Sequence, residues 1–173
     1  MGILVSKVRI ENFRSIEILE LSLSTTNVLI GANNCGKSNF LKAINIALGQ
    51  NKNISPEDIY VGKDEVSDKS KCATIDVMIR PVDDAHNIVS SFSTFWINVF
   101  TDAWITIVEE LGDYVGIRTI LQYDALRNDY VLVRKQITDW GTSVSKATVS
   151  SKKNFTGDMN TYISAFYMDA QRD

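Results

Sequence analysis

One stretch of eight residues, 31–38, constrains this chain more strongly than any other part of the sequence. It consists of Gly31, Ala32, Asn33, Asn34, Cys35, Gly36, Lys37 and Ser38, and it fits the pattern G-x-x-x-x-G-K-[ST] at every position. The apolar run 28–30 precedes it, and apolar residues at helical spacing follow it in segment 39–48. The sequence therefore predicts a buried strand, then a tight loop, then a helix with one apolar face.

This order of elements indicates a phosphate-binding loop. Gly31 and Gly36 allow the backbone to turn tightly and bring its N–H groups against phosphate oxygens, while the helix N-terminus adds partial positive charge. Lys37 would reach the outer phosphates of a nucleotide, and the Ser38 hydroxyl would hold a Mg²⁺ ion that bridges them. The alternative is a glycine-rich turn that contains Lys and Ser by chance, but the flanking strand and helix favour the nucleotide site.

The composition is that of an ordinary globular protein, since 45% of the 173 residues are hydrophobic and 23% are charged. The net charge of −3 gives the chain as a whole no attraction for nucleic acid. No apolar run is long enough to cross a bilayer and no signal peptide is recognisable, so we expect a cytoplasmic protein without a membrane partner. The spacing of Cys35, Cys72 and His86 suits neither a metal site nor a disulfide framework.

Hydrophobic periodicity predicts the remaining elements of the chain. In chain order, we expect a hairpin of strands at 3–12 and 19–23, a short helical turn at 55–58, a strand at 72–80 ended by Pro81, a mostly helical aromatic stretch at 84–99, an antiparallel pair of strands at 117–123 and 129–137, an exposed loop at 141–157 and a last strand from residue 162.

Two segments near the start of the chain carry a resemblance to a known group of proteins. Segment 8–15, Val-Arg-Ile-Glu-Asn-Phe-Arg-Ser, is followed by the hairpin and by segment 27–44 with the phosphate loop. Together they resemble the start of the SMC/RecF/OLD group of ABC-type ATPases. Within that group the chain most resembles the OLD family of ATP-powered nucleases, including the Gabija-type defence proteins. The resemblance is specific over residues 5–48, and beyond them it is one of layout.

The resemblance implies an α/β fold, with residues 1–173 as the N-terminal lobe of a P-loop ABC-type ATPase head. This lobe is expected to contain a mixed sheet and an antiparallel β portion at about 72–137. ATP and Mg²⁺ are the implied cofactors, and a second copy of the chain is the implied partner across the ATP. Full-length proteins of the group cut DNA with a Toprim nuclease domain, which is not present in this sequence. Coupling of ATP to DNA processing in phage defence is therefore expected only of a longer protein.

The resemblance also assigns residues outside the loop. Arg14, just after the first strand, and Asn39, just after the loop, are expected near the nucleotide. Gln171 matches the Q-loop glutamine of the group, which contacts Mg²⁺ and the attacking water. Asp169 is the alternative for this position if the alignment is displaced by two residues.

Two other functions stay open from the sequence alone. Segment 165–169 could form the apolar strand whose last Asp holds Mg²⁺ in a complete small P-loop kinase or GTPase. A nucleotide-gated scaffold without catalysis is the second alternative. Because the sequence contains no ABC signature segment, no strand ending in Asp-Glu and no Toprim Asp-x-Asp, we expect residues 1–173 to be part of a longer protein. Alone, they are expected to bind Mg-ATP weakly, without hydrolysing it or cutting DNA.

Overall fold

A six-stranded antiparallel sheet carries the other elements of the fold. The computed structural model describes residues 1–33, 35–49, 53–63, 65, 68–150 and 157–163. The strands are β1 (Gly2–Phe13), β2 (Ile16–Ser22), β3 (Ala73–Val82), β4 (Val115–Asp124), β5 (Asp129–Asp139) and β6 (Thr148–Val149). They lie in the order β2-β1-β3-β4-β5-β6, and each neighbouring pair is antiparallel.

The two predicted hairpins are confirmed. β1 and β2 pair with Phe13 opposite Ile16, and β4 and β5 pair with Asp124 opposite Asp129. The sheet differs from the expected mixed sheet, because every strand pair in the described part of the chain is antiparallel. Antiparallel pairing also extends beyond 72–137, since it begins in β1 and ends in β6. Alternation within a strand shows which side chains share a face, but it does not give the direction of the neighbouring strand.

Among the described residues, three α-helices accompany the sheet: α1 (Lys37–Leu48), α2 (Thr94–Phe100) and α3 (Gly157–Tyr162). Short 3₁₀ helices occur at Pro56–Asp58 and Val144–Lys146. The predicted helix after the phosphate loop is confirmed as α1, which buries Phe40, Ala43, Ile46, Ala47 and Leu48. These side chains pack into the main hydrophobic core, together with the apolar face of β1, β3 and β4. The core therefore lies between α1 and one face of the sheet.

The predicted buried strand at 28–30 is wrong. These residues form no strand, and the side chains of Val28 and Ile30 are 77% and 90% exposed. A strand needs a neighbour with free backbone groups. β1 is paired on both sides, by β2 and β3, and segment 28–30 forms no ladder with the free edge of β2. The apolar run therefore crosses an open surface among the described residues, instead of entering the sheet.

Two other predicted elements begin or end at different residues in the structure. β3 continues through Pro81, because β4 pairs with β3 only as far as Ile79, and the missing N–H of Pro81 therefore interrupts no pairing with β4. The helical prediction for 84–99 holds only for α2, because the side chain of Asp83 accepts hydrogen bonds from Asn87 and closes a turn before it. The aromatic side chains of this region are largely core, as predicted, with Phe92, Phe100 and Trp104 buried.

A buried charged cluster joins three neighbouring strands of the sheet. Arg9, Asp76 and Arg118 occupy directly paired positions on β1, β3 and β4. Both arginines bond to the Asp76 carboxylate, Arg118 at 2.7 Å through Nε and Nη2, and Arg9 at 3.1 Å through Nη2. Arg9 also donates to the Trp140 carbonyl at 2.8 Å, and Arg118 to the Val144 carbonyl at 2.7 Å. The cluster thus bonds segment 140–144 to the face of the sheet away from α1.

Removing the carboxylate should destabilise the fold strongly. Asp76 is fully buried, and Asp76→Ala would leave two nearly buried guanidinium groups without their counterion. We expect the free energy of unfolding to fall by about 3–5 kcal/mol in chemical denaturation. Arg127→Ala is the matched control, because its ion pair with Asp124 is exposed and should contribute at most about 1 kcal/mol. Equal losses in the two variants would contradict a supporting role for the buried cluster.

Candidate phosphate-binding site

The backbone of the phosphate loop depends on its two glycines. Gly36 has φ of +96°, a left-handed conformation that side chains disfavour, and α1 begins at the next residue. A Cβ at Gly31 would lie 2.6 Å from the Cys35 sulfur, so a side chain at this position would require the Cys35 side chain to move. The loop is therefore a tight turn directly before a helix N-terminus.

The N-terminus of α1 carries partial positive charge that no described side chain offsets. Its N-cap, Gly36, has no side chain to accept a hydrogen bond, and the first turn contains no acidic residue among those described. The first bond of the helix runs from the Phe40 N–H to the Gly36 carbonyl at 2.9 Å. The N–H groups of residues 37–39 thus have no acceptor within the helix. Such an end attracts anions.

Lys37 adds a full positive charge at the same end of α1. Its Nζ donates to the carbonyl oxygens of Gly31 at 2.6 Å and Ala32 at 2.7 Å, and it lies 3.5 Å from the Cys35 sulfur. The ammonium group therefore lies over the loop and faces solvent. Neutral carbonyls are weaker acceptors than phosphate oxygens, so an anion at this position would gain the stronger, charge-assisted contact.

An open groove of about 690 Å³ runs along one side of the loop. Ile16, Leu19 and Leu21 of β2 line one wall, segment 28–30 lines another, and Lys37 lies at the loop end. Its volume lies within the range of sites for small ligands, which is about 300–1,000 Å³. The groove thus joins apolar surface to the positive charge of the loop.

Arg14 lies on the other side of the loop, in the turn between β1 and β2. Its backbone has φ of 51°, and its N–H donates to the Asp58 carbonyl at 3.0 Å. Its side chain donates from Nε to Asp58 Oδ1 at 2.7 Å and from Nη1 to Asn39 Oδ1 at 3.4 Å. Lys42 of α1 also donates to Asp58 Oδ1, at 2.7 Å.

The environment of Asp58 favours its ionised form. Burial alone would raise the pKa of this carboxyl, but hydrogen bonds from Lys42, Arg14 and the Ser55 N–H together lower the pKa below its ordinary value. The charge of Asp58 is therefore retained at neutral pH, where it is compensated by two cations.

The structure brings several of the predicted site residues together. A pocket of about 290 Å³ is lined by Arg14, Ser38, Asn39, Lys42 and Asn45. Ser38 is exposed at its mouth. The sequence analysis missed Lys42 and Asp58, although the Ser-Pro-Glu-Asp turn at 55–58 marks the place where the aspartate caps a 3₁₀ helix.

Three predicted site residues, Asn34, Asp169 and Gln171, lie outside the residues that the structure describes. In the described ranges, no group of three or more His, Cys, Asp or Glu side chains could hold a metal ion. His86 is exposed, as expected, and both cysteines are free thiols. None of the described helices has the length and apolar character needed to cross a membrane.

Comparison with known protein families gives one match. Residues 4–172 are similar to the family described as AAA ATPase domain, a match that spans nearly the whole chain and includes the phosphate loop. No curated protein matches the chain.

The two cysteines should differ in their reactivity towards alkylating reagents. Cys35 is exposed within the loop, whereas Cys72 is partly covered, so an alkylating reagent should label Cys35 faster than Cys72. A phosphate group bound at the α1 N-terminus would cover Cys35, and Mg-ATP should therefore slow its labelling but leave Cys72 unchanged. Peptide mapping by mass spectrometry, with Cys72 as the internal control, measures both rates. Equal labelling of the two thiols, or no protection by Mg-ATP, would contradict this geometry.

Proposed function

This chain belongs to the AAA ATPase domain family, a family of ATP-binding proteins, and we propose that residues 31–38 hold the phosphates of its ATP. The observation that carries this proposal is the coincidence of two positive features at one point. The uncapped N-terminus of α1 and the Lys37 ammonium group both face the loop. Polyphosphate is the ligand chemistry that this combination favours.

The nucleoside would extend from the loop into the groove beside β2. The walls at Ile16, Leu19 and Leu21 are apolar, which suits the faces of a base. Gly36 and Lys37 of the loop also line the groove, so a nucleotide could occupy groove and loop at once. This arrangement supports binding of a whole nucleotide over binding of free phosphate.

Ser38 is the residue that would hold the Mg²⁺ ion accompanying the nucleotide. Ser38 is exposed at the start of α1, and the neighbouring side chains of Asn39 and Asn45 also carry oxygen atoms. Mg²⁺ prefers oxygen ligands and keeps several waters, so a single hydroxyl together with substrate phosphates is an ordinary protein contribution. When bound, the ion would neutralise phosphate charge, and Ser38 would hold it in place.

We further propose that the chain acts within an OLD-type ATPase in the cytoplasm. The support is the resemblance over residues 5–48, in which the β1–β2 hairpin and the phosphate loop have the order of that group. In this proposal a second copy of the chain closes over the ATP. ATP binding is then coupled to DNA processing, as in phage defence, by parts of a longer protein.

The phosphate assignment predicts that Lys37→Ala weakens nucleotide binding. The change removes a charge-assisted contact worth about 1.5–3 kcal/mol, so the Kd for Mg-ATP should rise about tenfold or more. Isothermal titration calorimetry measures the Kd, and circular dichroism checks that the variant is folded. Lys63→Ala, which removes an exposed lysine outside the loop, is the matched control and should bind as the parent does. Equal affinity of Lys37→Ala and the parent would refute the assignment.

A further inference from the structure

Asp58 is a buried carboxylate that joins three separate parts of the chain. It ends the 3₁₀ helix Pro56–Asp58, which is docked on the end of β1 by two backbone hydrogen bonds. In these, the Arg14 N–H donates to the Asp58 carbonyl at 3.0 Å, and the Tyr60 N–H donates to the Asn12 carbonyl at 2.9 Å. The side chain of Asp58 is fully buried. The carboxylate therefore has a fixed position relative to the β1–β2 turn.

The carboxylate holds two cations that come from either side of the phosphate loop. Arg14 precedes the loop and Lys42 follows it, and both donate to Oδ1 at 2.7 Å. Oδ2 accepts the Ser55 N–H at 3.0 Å. The carboxylate and the two cations together carry a net charge of +1. That positive charge borders the pocket that Ser38 and Asn39 also line.

The cations of this cluster are more exposed than those around Asp76, where the Arg9 and Arg118 side chains are 3% and 10% exposed. The guanidinium of Arg14 is moreover only partly buried, with 32% of the side chain exposed. Its Nη1 reaches Asn39, the residue after the loop, at 3.4 Å. The second half of the guanidinium is therefore directed at the start of α1, where the proposed phosphates lie.

We propose that Asp58 is a positioning residue, which holds the Nε edge of Arg14 so that its terminal nitrogens face the phosphates of a bound nucleoside triphosphate. This inference rests on the proposed ATP site and extends it to a residue outside the loop. Asp58 itself does not touch the nucleotide. It fixes the Arg14 side chain before binding, so that the side chain loses less conformational freedom when ATP binds.

A double-mutant cycle on nucleotide affinity tests this role. We would measure the Kd of Mg-ATP by calorimetry for the parent, Asp58→Asn, Arg14→Ala and the double variant, with thermal unfolding as the check of folding. Asp58→Asn keeps the shape of the side chain but removes its charge. It should weaken ATP binding about five- to tenfold in the parent and less than about twofold in the Arg14→Ala background, which is the coupling expected of two residues acting as a unit.

The outcomes separate this inference from the proposed function. If Lys37→Ala binds Mg-ATP more weakly than the parent but Asp58→Asn binds as the parent does, the inference fails and the ATP site stands. It also fails if Asp58→Asn weakens binding equally with and without Arg14, or if its effect is lost only in a Lys42→Ala background. If the parent does not bind Mg-ATP at all, the proposed function itself fails.

A second measurement covers the case in which Asp58→Asn does not fold. In the parent protein, the Arg14 Nε–H should give a resolved ¹⁵N–¹H signal, because its bond to the buried carboxylate orders the side chain. Mg-ATP should shift this signal, whereas the exposed Arg127 should not respond. An Arg14 signal that is unchanged at saturating Mg-ATP would overturn the proposal.

Discussion

The packing of α1 against the antiparallel sheet is the interaction on which the candidate site depends. The apolar face of the helix, from Phe40 to Leu48, lies in the main core. At the C-terminal end of the helix, Arg134 of β5 donates to the carbonyls of Ile46 at 2.8 Å and Gly49 at 2.9 Å. With its face and its C-terminus fixed, the helix can present its N-terminus in only one place. The end of the phosphate loop that joins α1 therefore takes its position from the helix, while the Lys37 side chain bonds to the carbonyls of Gly31 and Ala32 at the other end.

Two buried carboxylates connect loop segments to this framework. Asp76 lies on the face of the sheet away from α1 and bonds to two arginines, and Asp58 lies at the end of β1 and bonds to an arginine and a lysine. Both are compensated by two cations, but their surroundings differ. Arg9 of the Asp76 cluster borders a pocket beside segment 142–144, on the face of the sheet away from α1, whereas the cations around Asp58 border the pocket next to Ser38 at the start of α1. The first cluster serves the fold, and we propose that the second serves the ligand.

Much of the secondary structure could be predicted from local periodicity, because β1 to β5 and α1 each bury a face that the sequence displays. The prediction failed where the conformation or burial of a segment depends on contacts with another part of the chain. Segment 28–30 is apolar enough for a strand but pairs with no strand in the described structure. Arg9 and Asp76 alternate like exposed residues but are buried, because a distant segment covers their face of the sheet. Pattern within a segment cannot show what covers it.

The candidate site likewise contains a part that the sequence could predict and a part that it could not. The phosphate loop is local in sequence, so its turn and helix could be predicted, and its ligand role stays a prediction of the motif and the family. The contact of Arg14 with Asp58 joins residues 44 positions apart, and no local pattern pairs them. Only the docking of the 3₁₀ helix on the end of β1 shows that a buried carboxylate lies behind the predicted nucleotide residue.

The central claim is that the N-terminus of α1 binds the phosphates of ATP. The most direct measurement is a titration of the ¹⁵N-labelled chain with Mg-ATP, followed by the backbone amide signals. Phosphate binding at this helix end predicts the largest shifts for residues 36–39, whose N–H groups would bond to phosphate oxygens, and none for the exposed turn 125–128. Shifts that are largest elsewhere in the chain, or no shift at millimolar Mg-ATP, would contradict it.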